Sequence, residues 1–174
     1  MEITAVAIAM TGVAGTLGAA LLTQRGAERA KRRELELGQA FQEVRENLAL
    51  RRDCYTRLYR DARQFATALN RHLLVLSART PGEDEVRALE EAKDAHRNHW
   101  SETLMIAPDT VIAPGDTANQ ALTQVYAMVK RLEQGNAGSG ETLRSAAEAQ
   151  DGLWPLIKVM RHAMRQDLGV GGEI

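Results

Sequence analysis

Two histidines lie near two acidic residues and together offer metal-ligand chemistry. His96 and His99 are three residues apart, with Asp94 and Glu102 close by. A ferritin-like carboxylate site needs Glu-x-x-His motifs on two helices and further inward-facing glutamates. The sequence contains no such motif. We therefore interpret both histidines as surface or partly buried residues, and we predict no metal and no other cofactor.

Cys54 is the only cysteine, which rules out an internal disulfide. Its thiol would be a nucleophile if a histidine approached it. Cys54 precedes Tyr55 on a predicted apolar helix face, however, where a small packed thiol is the commoner outcome. Because HExxH, GxSxG and P-loop motifs are also lacking, we predict no catalytic residue and no enzyme. An enzyme with dispersed active-site residues stays open as an alternative.

A series of arginines precedes residue 64 and is interleaved with Tyr55 and Tyr59. Its members are Arg45, Arg51, Arg52, Arg57, Arg60 and Arg63. Such a face is able to bind nucleic acid or a phosphoinositide, but a solvated helix face with ion pairs is the favoured interpretation. Binding of nucleic acid is not predicted, and an anionic ligand for the face from Arg45 to Arg63 is left open.

The N-terminal segment has the length and composition of one membrane crossing. No ionisable side chain occurs from Ile3 to Gln24, and about 20 helical residues span the roughly 30 Å hydrocarbon layer. The only charge before it is Glu2, which disfavours a cleaved signal peptide. Basic residues follow directly, namely Arg25, Arg29, Lys31, Arg32 and Arg33. The positive-inside rule therefore predicts a single-pass anchor in the cell membrane, with its N-terminus outside and the rest cytoplasmic.

Within this segment, small residues recur at every fourth position: Ala7, Thr11, Gly15 and Ala19. Small side chains on one face let a second helix approach closely in a membrane. The pattern predicts self-association there. Chance recurrence in an alanine-rich span is an equally weighted alternative. For the segment as a whole, a cleaved signal and a buried or interfacial helix are the less favoured alternatives.

The rest of the chain shows helical periodicity. A first long helix is predicted to reach about Ala78, with apolar residues in steps of three, four or seven. These residues are Leu37, Phe41, Val44, Leu48, Tyr55, Leu58, Ala62, Phe65, Leu69, Leu73 and Leu76. Later apolar lines predict three more helices, and those lines are Val86, Leu89, Ala92, His96, Trp100 and Ile106, then Ala118, Leu122, Val125, Val129 and Leu132, then Leu143, Ala147, Trp154, Ile157, Met160 and Met164.

Helix boundaries are predicted from capping residues, prolines and glycines. Thr80 is expected to cap the second helix and Ser139 the fourth. Pro108 and Pro114 are expected to bracket a loop before the third helix. Pro155 is expected to kink the fourth helix.

These features predict an all-α protein. Its expected parts are a transmembrane signal anchor (1–24), a basic juxtamembrane segment (25–34), an up-down bundle of about four helices with one long first helix (35–168) and a flexible tail (169–174). An oligomeric coiled coil over residues 37–76, with the later helices outside, is the alternative.

Two stretches carry a resemblance to a known group. They are TAVAIAMTGVAGTLGAALLTQRGAERAKRR near the N-terminus and AMRQDLGVGG near the end. The chain resembles small actinobacterial proteins with an N-terminal membrane anchor, mostly of unknown function and some linked to plasmid spread. The resemblance implies a membrane location and no activity.

Together, an anchor and a bundle without a catalytic motif predict a membrane-tethered interaction module. Its expected partners are membrane lipid and either another protein or further copies of itself. A membrane-active protein, holin-like or linked to plasmid spread, is the alternative from a different class.

Overall fold

A computed structural model describes the backbone of residues 2–170 and the side chains of residues 31–170. Five helices follow one another, and the described residues contain no strand. They are α1 (Glu2–Ala78), α2 (Glu83–Ile106), α3 (Asp109–Glu133), α4 (Leu143–Asp151) and α5 (Leu153–Asp167). The prediction of an all-helical protein is confirmed. The chain divides into two units, Met1–Asn47 and Leu48–Ile174.

The first helix begins at Glu2 and ends at Ala78, where its periodicity predicts the end. Gly38 does not interrupt it, although a helix-interior glycine costs about 1 kcal/mol relative to alanine. Its predicted apolar line has two different environments. The members of this line from Tyr55 to Leu73 are buried, whereas its members Leu37, Phe41 and Val44 are exposed.

The predicted start of α2 is wrong by two residues. Gly82, not Thr80, is the N-cap, and the Glu85 carboxylate accepts a hydrogen bond of 2.7 Å from the Gly82 backbone N–H. This pairing satisfies an otherwise unpartnered helix-end donor, and Thr80 lies too far upstream to take part. Glu83 opens the helix rather than reaching back to its cap.

Pro114 does not end a loop, contrary to the prediction. Pro108 is the N-cap of α3 and Pro114 lies inside that helix, in its second turn. The next residue, Gly115, packs against Trp100 of α2, and a Cβ atom there would lie 2.6 Å from the indole ring. Close contact between α2 and α3 stabilises this turn despite the one backbone donor that proline lacks.

The last predicted helix is two helices, with different boundaries. Thr142 rather than Ser139 caps α4, accepting a 3.1 Å hydrogen bond from the Ser145 backbone N–H. One helix ends and the next begins at Gly152. Pro155 therefore lies in the first turn of α5, where its missing N–H removes no helix hydrogen bond. In place of the predicted kink at Pro155, the structure has a boundary between two helices at Gly152, three residues earlier.

The predicted core line is wrong before Ile157. Ala146, Gln150 and Leu153 are buried, while the predicted core residues Leu143 and Trp154 are each 38% exposed. Counting back from Ile157 in steps of four and three reaches Leu153, Gln150 and Ala146, so the helical phase continues through Gly152. The predicted line was one residue out of phase before Ile157.

The second unit is a helical bundle with one apolar core. Residues from all five helices contribute to it. Its largest fully buried side chains include Leu58, Phe65 and Leu69 from α1, Leu89 from α2, Val111, Leu122 and Val129 from α3, and Leu153 and Met160 from α5. The buried Gln150 side chain donates to the Ala66 carbonyl at 3.4 Å, which joins α4 to α1. The prediction of a helical bundle is confirmed.

Several predictions fall on side chains outside the described residues. These are the anchor from Ile3 to Leu22, its small residues Ala7, Thr11, Gly15 and Ala19, and the basic residues Arg25 and Arg29. The other basic residues, Lys31, Arg32 and Arg33, are exposed. Within the described residues, none of the helices has an apolar stretch of the length that a membrane crossing needs. Of the predicted flexible tail, residues 171–174 are likewise not described.

Candidate functional site

An exposed apolar ridge occupies one face of α1 in the first unit. We use the name for Leu37, Phe41 and Val44, which are 61%, 71% and 57% exposed. Steps of four and three residues align their side chains on the same helix face. Single exposed apolar residues are ordinary, but an aligned row of large ones marks an interaction surface.

Charged residues flank the ridge on both sides, and all of them are exposed. Glu36 and Glu43 each directly precede a ridge residue, so they lie about 100° around the helix on one side. Arg45 directly follows Val44 and lies on the other side. The ridge therefore has an acidic flank and a basic flank.

A groove of about 1030 Å³ runs between α1 and α2 in the second unit. Its floor is made of small and apolar side chains: Ala68 from α1, and Ala88, Leu89, Ala92 and Ala95 from α2. Alanines leave space between two helices that larger side chains would fill. The result is an elongated depression of the kind that accommodates a further helix.

The walls of this groove have opposite charges. Arg60, Arg63 and Arg71 lie along the α1 wall, and Asp84, Glu85 and Glu91 lie along the α2 wall. Arg63 also lies over the Tyr59 ring, 5.8 Å from its centroid, which keeps its guanidinium beside the groove.

The acids of the α2 wall are engaged locally, whereas two arginines of the α1 wall are not. Asp84 pairs with Arg87, and Glu85 pairs with Arg79. Arg60 pairs with buried Asp61 at 2.9 Å. Within the described side chains, Arg63 and Arg71 form no ion pair. The α1 wall therefore offers two cations to an incoming carboxylate.

The structure does not assemble the histidine cluster that the sequence suggested. His99 bonds instead through Nδ1 to Asp61 of α1 at 2.5 Å, while Asp94 approaches Lys93 at 3.8 Å. Among the described residues, no group of three or more histidine, cysteine or acidic side chains is placed to hold a metal. The His99–Asp61 contact joins α2 to α1.

Asp61 was not singled out from the sequence, although it is one of the most buried polar groups. Its side chain is 3% exposed and receives bonds from His99 and from Arg60 Nε. The available signal was its position beside Ala62 on the apolar line of α1. A lone acid within such a line requires partners from neighbouring helices.

His96 is buried beside the Phe65 ring, with centroids 5.8 Å apart. Its Nε2 lies 3.3 Å from the Asn119 side-chain oxygen. Burial lowers the pKa of His96 below its usual value of 6.5, and the Asn119 bond and the nearby Asp61 charge oppose this shift only partly. His96 is therefore neutral in the folded protein at neutral pH.

Acid is expected to destabilise the fold through His96. The unfolded chain binds a proton near pH 6.5, whereas the folded chain does so only at lower pH. Stability is therefore unaffected above that pH and falls as the pH drops from 6.5 towards the folded-state pKa. Urea unfolding at about pH 7.5 and about pH 5.5 measures the loss.

His96→Gln is the matched control, since glutamine keeps a polar group near Asn119 without titrating. We expect the wild type to lose more stability on acidification than this variant. Equal losses in the two proteins would show that His96 does not carry the effect.

Cys54 is a packed thiol in this structure. It is 6% exposed, and its Sγ lies 3.1 Å from the Thr103 hydroxyl. Burial raises the pKa of Cys54, which keeps it as the unreactive thiol. The interpretation of Cys54 as a core residue is confirmed.

A polar network extends from α2 to α3 and reaches α1. Glu90 accepts from Tyr126 at 2.6 Å and pairs with Lys93. Burial raises the pKa of Glu90, but hydrogen bonds from Lys93 and Tyr126 outweigh this and hold it below its usual value. Next to this network, His72 Nε2 lies 3.3 Å from Glu133, and His72 lines the groove.

The predicted basic face of α1 is only partly available. Arg51 pairs with Asp167 at 3.3 Å, Arg57 with Asp53 and Arg60 with Asp61. Ion pairs therefore engage three of the predicted arginines, in line with the favoured interpretation. Sequence reasoning did not find the groove, although Ala88, Ala92 and Ala95 at steps of four and three were a signal for a small-residue face.

Comparisons with known proteins give this chain no relative. No family model, no curated protein and no solved structure matches it. In the part of the chain that the structure describes, the first unit carries an exposed apolar ridge and the second unit is a helical bundle with a charged groove.

Proposed function

We propose that this protein is a membrane-tethered interaction module. Its first helix holds the chain at the cytoplasmic face of the cell membrane, and the ridge of Leu37, Phe41 and Val44 binds protein, further copies of this chain included. No catalytic step is part of this function. The observation that carries the proposal is the exposure of the aligned ridge residues.

The physical support is the free energy of apolar burial. Covering exposed apolar area contributes about 25 cal/mol per Å², and each large side chain is worth roughly 1.5–3 kcal/mol when fully covered. A ridge of three such residues supports a specific but modest contact. A tether adds to it, because confinement at a membrane raises the effective concentration of partners.

The tether is supported by the uncharged sequence from Ile3 to Gln24 and the basic residues that follow it. An Ile3–Leu22 crossing would place Lys31, Arg32 and Arg33 on the cytoplasmic side. Residues 31–47 then extend from the membrane surface as an exposed helix. Small residues at Ala7, Thr11, Gly15 and Ala19 supply a further packing face within the bilayer.

The test is chemical crosslinking in native membranes, followed by affinity purification and mass spectrometry. Three forms of the full chain are compared: wild type, Leu37→Glu on the ridge, and Leu74→Glu as control, since Leu74 is also exposed on α1 but lies outside the ridge. A fourth form lacks residues 1–24.

We expect Leu37→Glu to remain in membranes and lose its crosslinked partners, while Leu74→Glu keeps them. The form lacking residues 1–24 is expected in the soluble fraction. If Leu37→Glu keeps every partner of the wild type, the ridge is not the binding surface. If the truncated form stays in membranes, the tether lies elsewhere.

A further inference from the structure

We propose that the α1–α2 groove binds the ridge segment, residues 36–47, of a second copy of this chain. This inference rests on the proposed function, because it names the partner of the ridge. It joins the ridge and the groove into one contact between chains.

Length is the first argument. Residues 36–47 form twelve residues of helix, or about 18 Å at 1.5 Å per residue. The α2 wall of the groove runs from Asp84 to Ala95, which is also twelve residues. A helix laid along the groove therefore meets its wall over its whole length.

Shape is the second argument. The groove floor consists of Ala68, Ala88, Ala92 and Ala95 with Leu89 beneath them. The ridge presents large side chains at steps of four and three. Large side chains of one helix pack into spaces left by small ones on its neighbours, as in helix-in-groove recognition.

Charge is the third argument, and it selects the occupant. Glu36 and Glu43 on one flank of the ridge are seven residues apart, and Arg63 and Arg71 on the α1 wall are eight apart. Arg45 on the other flank faces the acidic α2 wall when the glutamates face α1. Both flanks then meet opposite charges, which favours this register over others.

The occupant comes from a second chain. Every copy of this chain carries both the ridge segment and the groove, and the charges of the ridge segment complement those of the groove walls, so a second copy supplies an occupant of matching charge. The ridge and the groove are different surfaces, and such a heterologous contact assembles chains head to tail or in a reciprocal pair.

A ridge paired with the same ridge is the competing arrangement. Leu37, Phe41 and Val44 have the spacing of a coiled-coil seam. A seam of this length is short, however, since sustained coiled coils extend over three to four heptads or more. A ridge-to-ridge pair would also leave the charged groove empty. The experiment below distinguishes it from the ridge-in-groove contact.

A charge-swap experiment on the full chain in mild detergent separates the two arrangements. The groove variant carries Arg63→Glu and Arg71→Glu, and the ridge variant carries Glu36→Arg and Glu43→Arg. All four residues are exposed, so the fold is expected to persist. Arg97→Glu and Glu46→Arg are matched controls, since both residues are exposed and Arg97 does not line the groove while Glu46 lies opposite the ridge.

Each charge-swap variant alone is expected to self-associate about tenfold more weakly than wild type, because like charges face each other across the contact. Mixing the two variants restores association, because each groove then meets a ridge of opposite charge. The control variants are expected to behave as wild type. Sedimentation equilibrium of the separate and mixed proteins measures these outcomes.

Cysteine pairing provides a second measurement. Phe41→Cys in one chain and Ala92→Cys in another are expected to form a disulfide on mixing under mild oxidation. Val44→Cys alone is expected to form little disulfide-linked homodimer. Native Cys54 is buried and does not interfere.

Unchanged self-association of the groove variant would overturn the inference, and a strong Val44→Cys homodimer would replace it with a ridge-to-ridge pair. The proposed function survives both results as long as Leu37→Glu still loses its partners. If Leu37→Glu keeps both its self-association and its crosslinked partners, the proposed function is wrong as well.

Discussion

Replacing His99 with leucine is expected to lower the free energy of unfolding by about 3 kcal/mol. The His99 ring bonds to Asp61, whose carboxylate is 3% exposed. Without that ring, the buried carboxylate retains Arg60, whose side chain is 58% exposed and shares its charge with water. An incompletely partnered buried carboxylate is costly because water no longer solvates it. Urea unfolding at neutral pH measures the difference between variant and wild type.

The double variant Asp61→Leu with His99→Leu tests whether this cost comes from the stranded carboxylate. Replacing both partners of a buried hydrogen bond with apolar groups of similar shape is often nearly neutral for stability. We expect the double variant to be more stable than His99→Leu alone. If the two substitutions instead add their separate losses, the residues act independently and the interpretation of the contact is wrong.

Much of the fold follows from periodicity in the sequence. In α1, α2 and α3 the buried residues Phe65, Leu89, Trp100, Leu122 and Val129 occupy the predicted apolar lines. Each line is long enough for its phase to be determined by many residues at once. The line through α4 and α5 failed before Ile157, because Trp154 and Leu143 are large apolar residues that lie one position after the buried face, whereas that face there includes the polar Gln150.

Helix starts were less predictable because several residues offer similar local capping. Thr80 and Ser139 have hydroxyls that suit an N-cap, yet Gly82 and Thr142 have that position. In the structure the residue three positions later, Glu85 or Ser145, bonds back to the observed cap, whereas Glu83, three positions after Thr80, is the first residue of α2. Each predicted cap differs from the observed one by two or three residues, so the choice depends on a small free-energy difference.

The candidate site was only half predictable. The ridge residue Phe41 stood in the apolar line of α1, but periodicity does not say whether a line is covered by its own chain. The groove depends on where α1 and α2 lie relative to each other. Residues such as Arg71 and Asp84 lie on different helices, and they line the same groove only because those helices pack together.

The two phenylalanines of this chain allow folding and association to be separated. Phe65 is 2% exposed, and its ring lies 5.8 Å from His96 and 6.0 Å from Tyr126. Phe65→Ala removes this buried ring and leaves a cavity, so we expect a loss of about 3–5 kcal/mol in the free energy of unfolding. That is a large fraction of the roughly 5–15 kcal/mol that stabilises a typical domain. Thermal or urea unfolding measures it.

Phe41→Ala is the same chemical change on a side chain that is 71% exposed. We expect its free energy of unfolding to stay within about 0.5 kcal/mol of wild type, measured at a protein concentration low enough to keep chains apart. Its self-association is expected to weaken, because the side chain at the centre of the ridge is lost. If Phe41→Ala loses as much unfolding free energy as Phe65→Ala, Phe41 is covered within its own chain. A stable variant that associates like wild type would show that the ridge binds nothing through Phe41, so only stability together with lost association supports the proposed function.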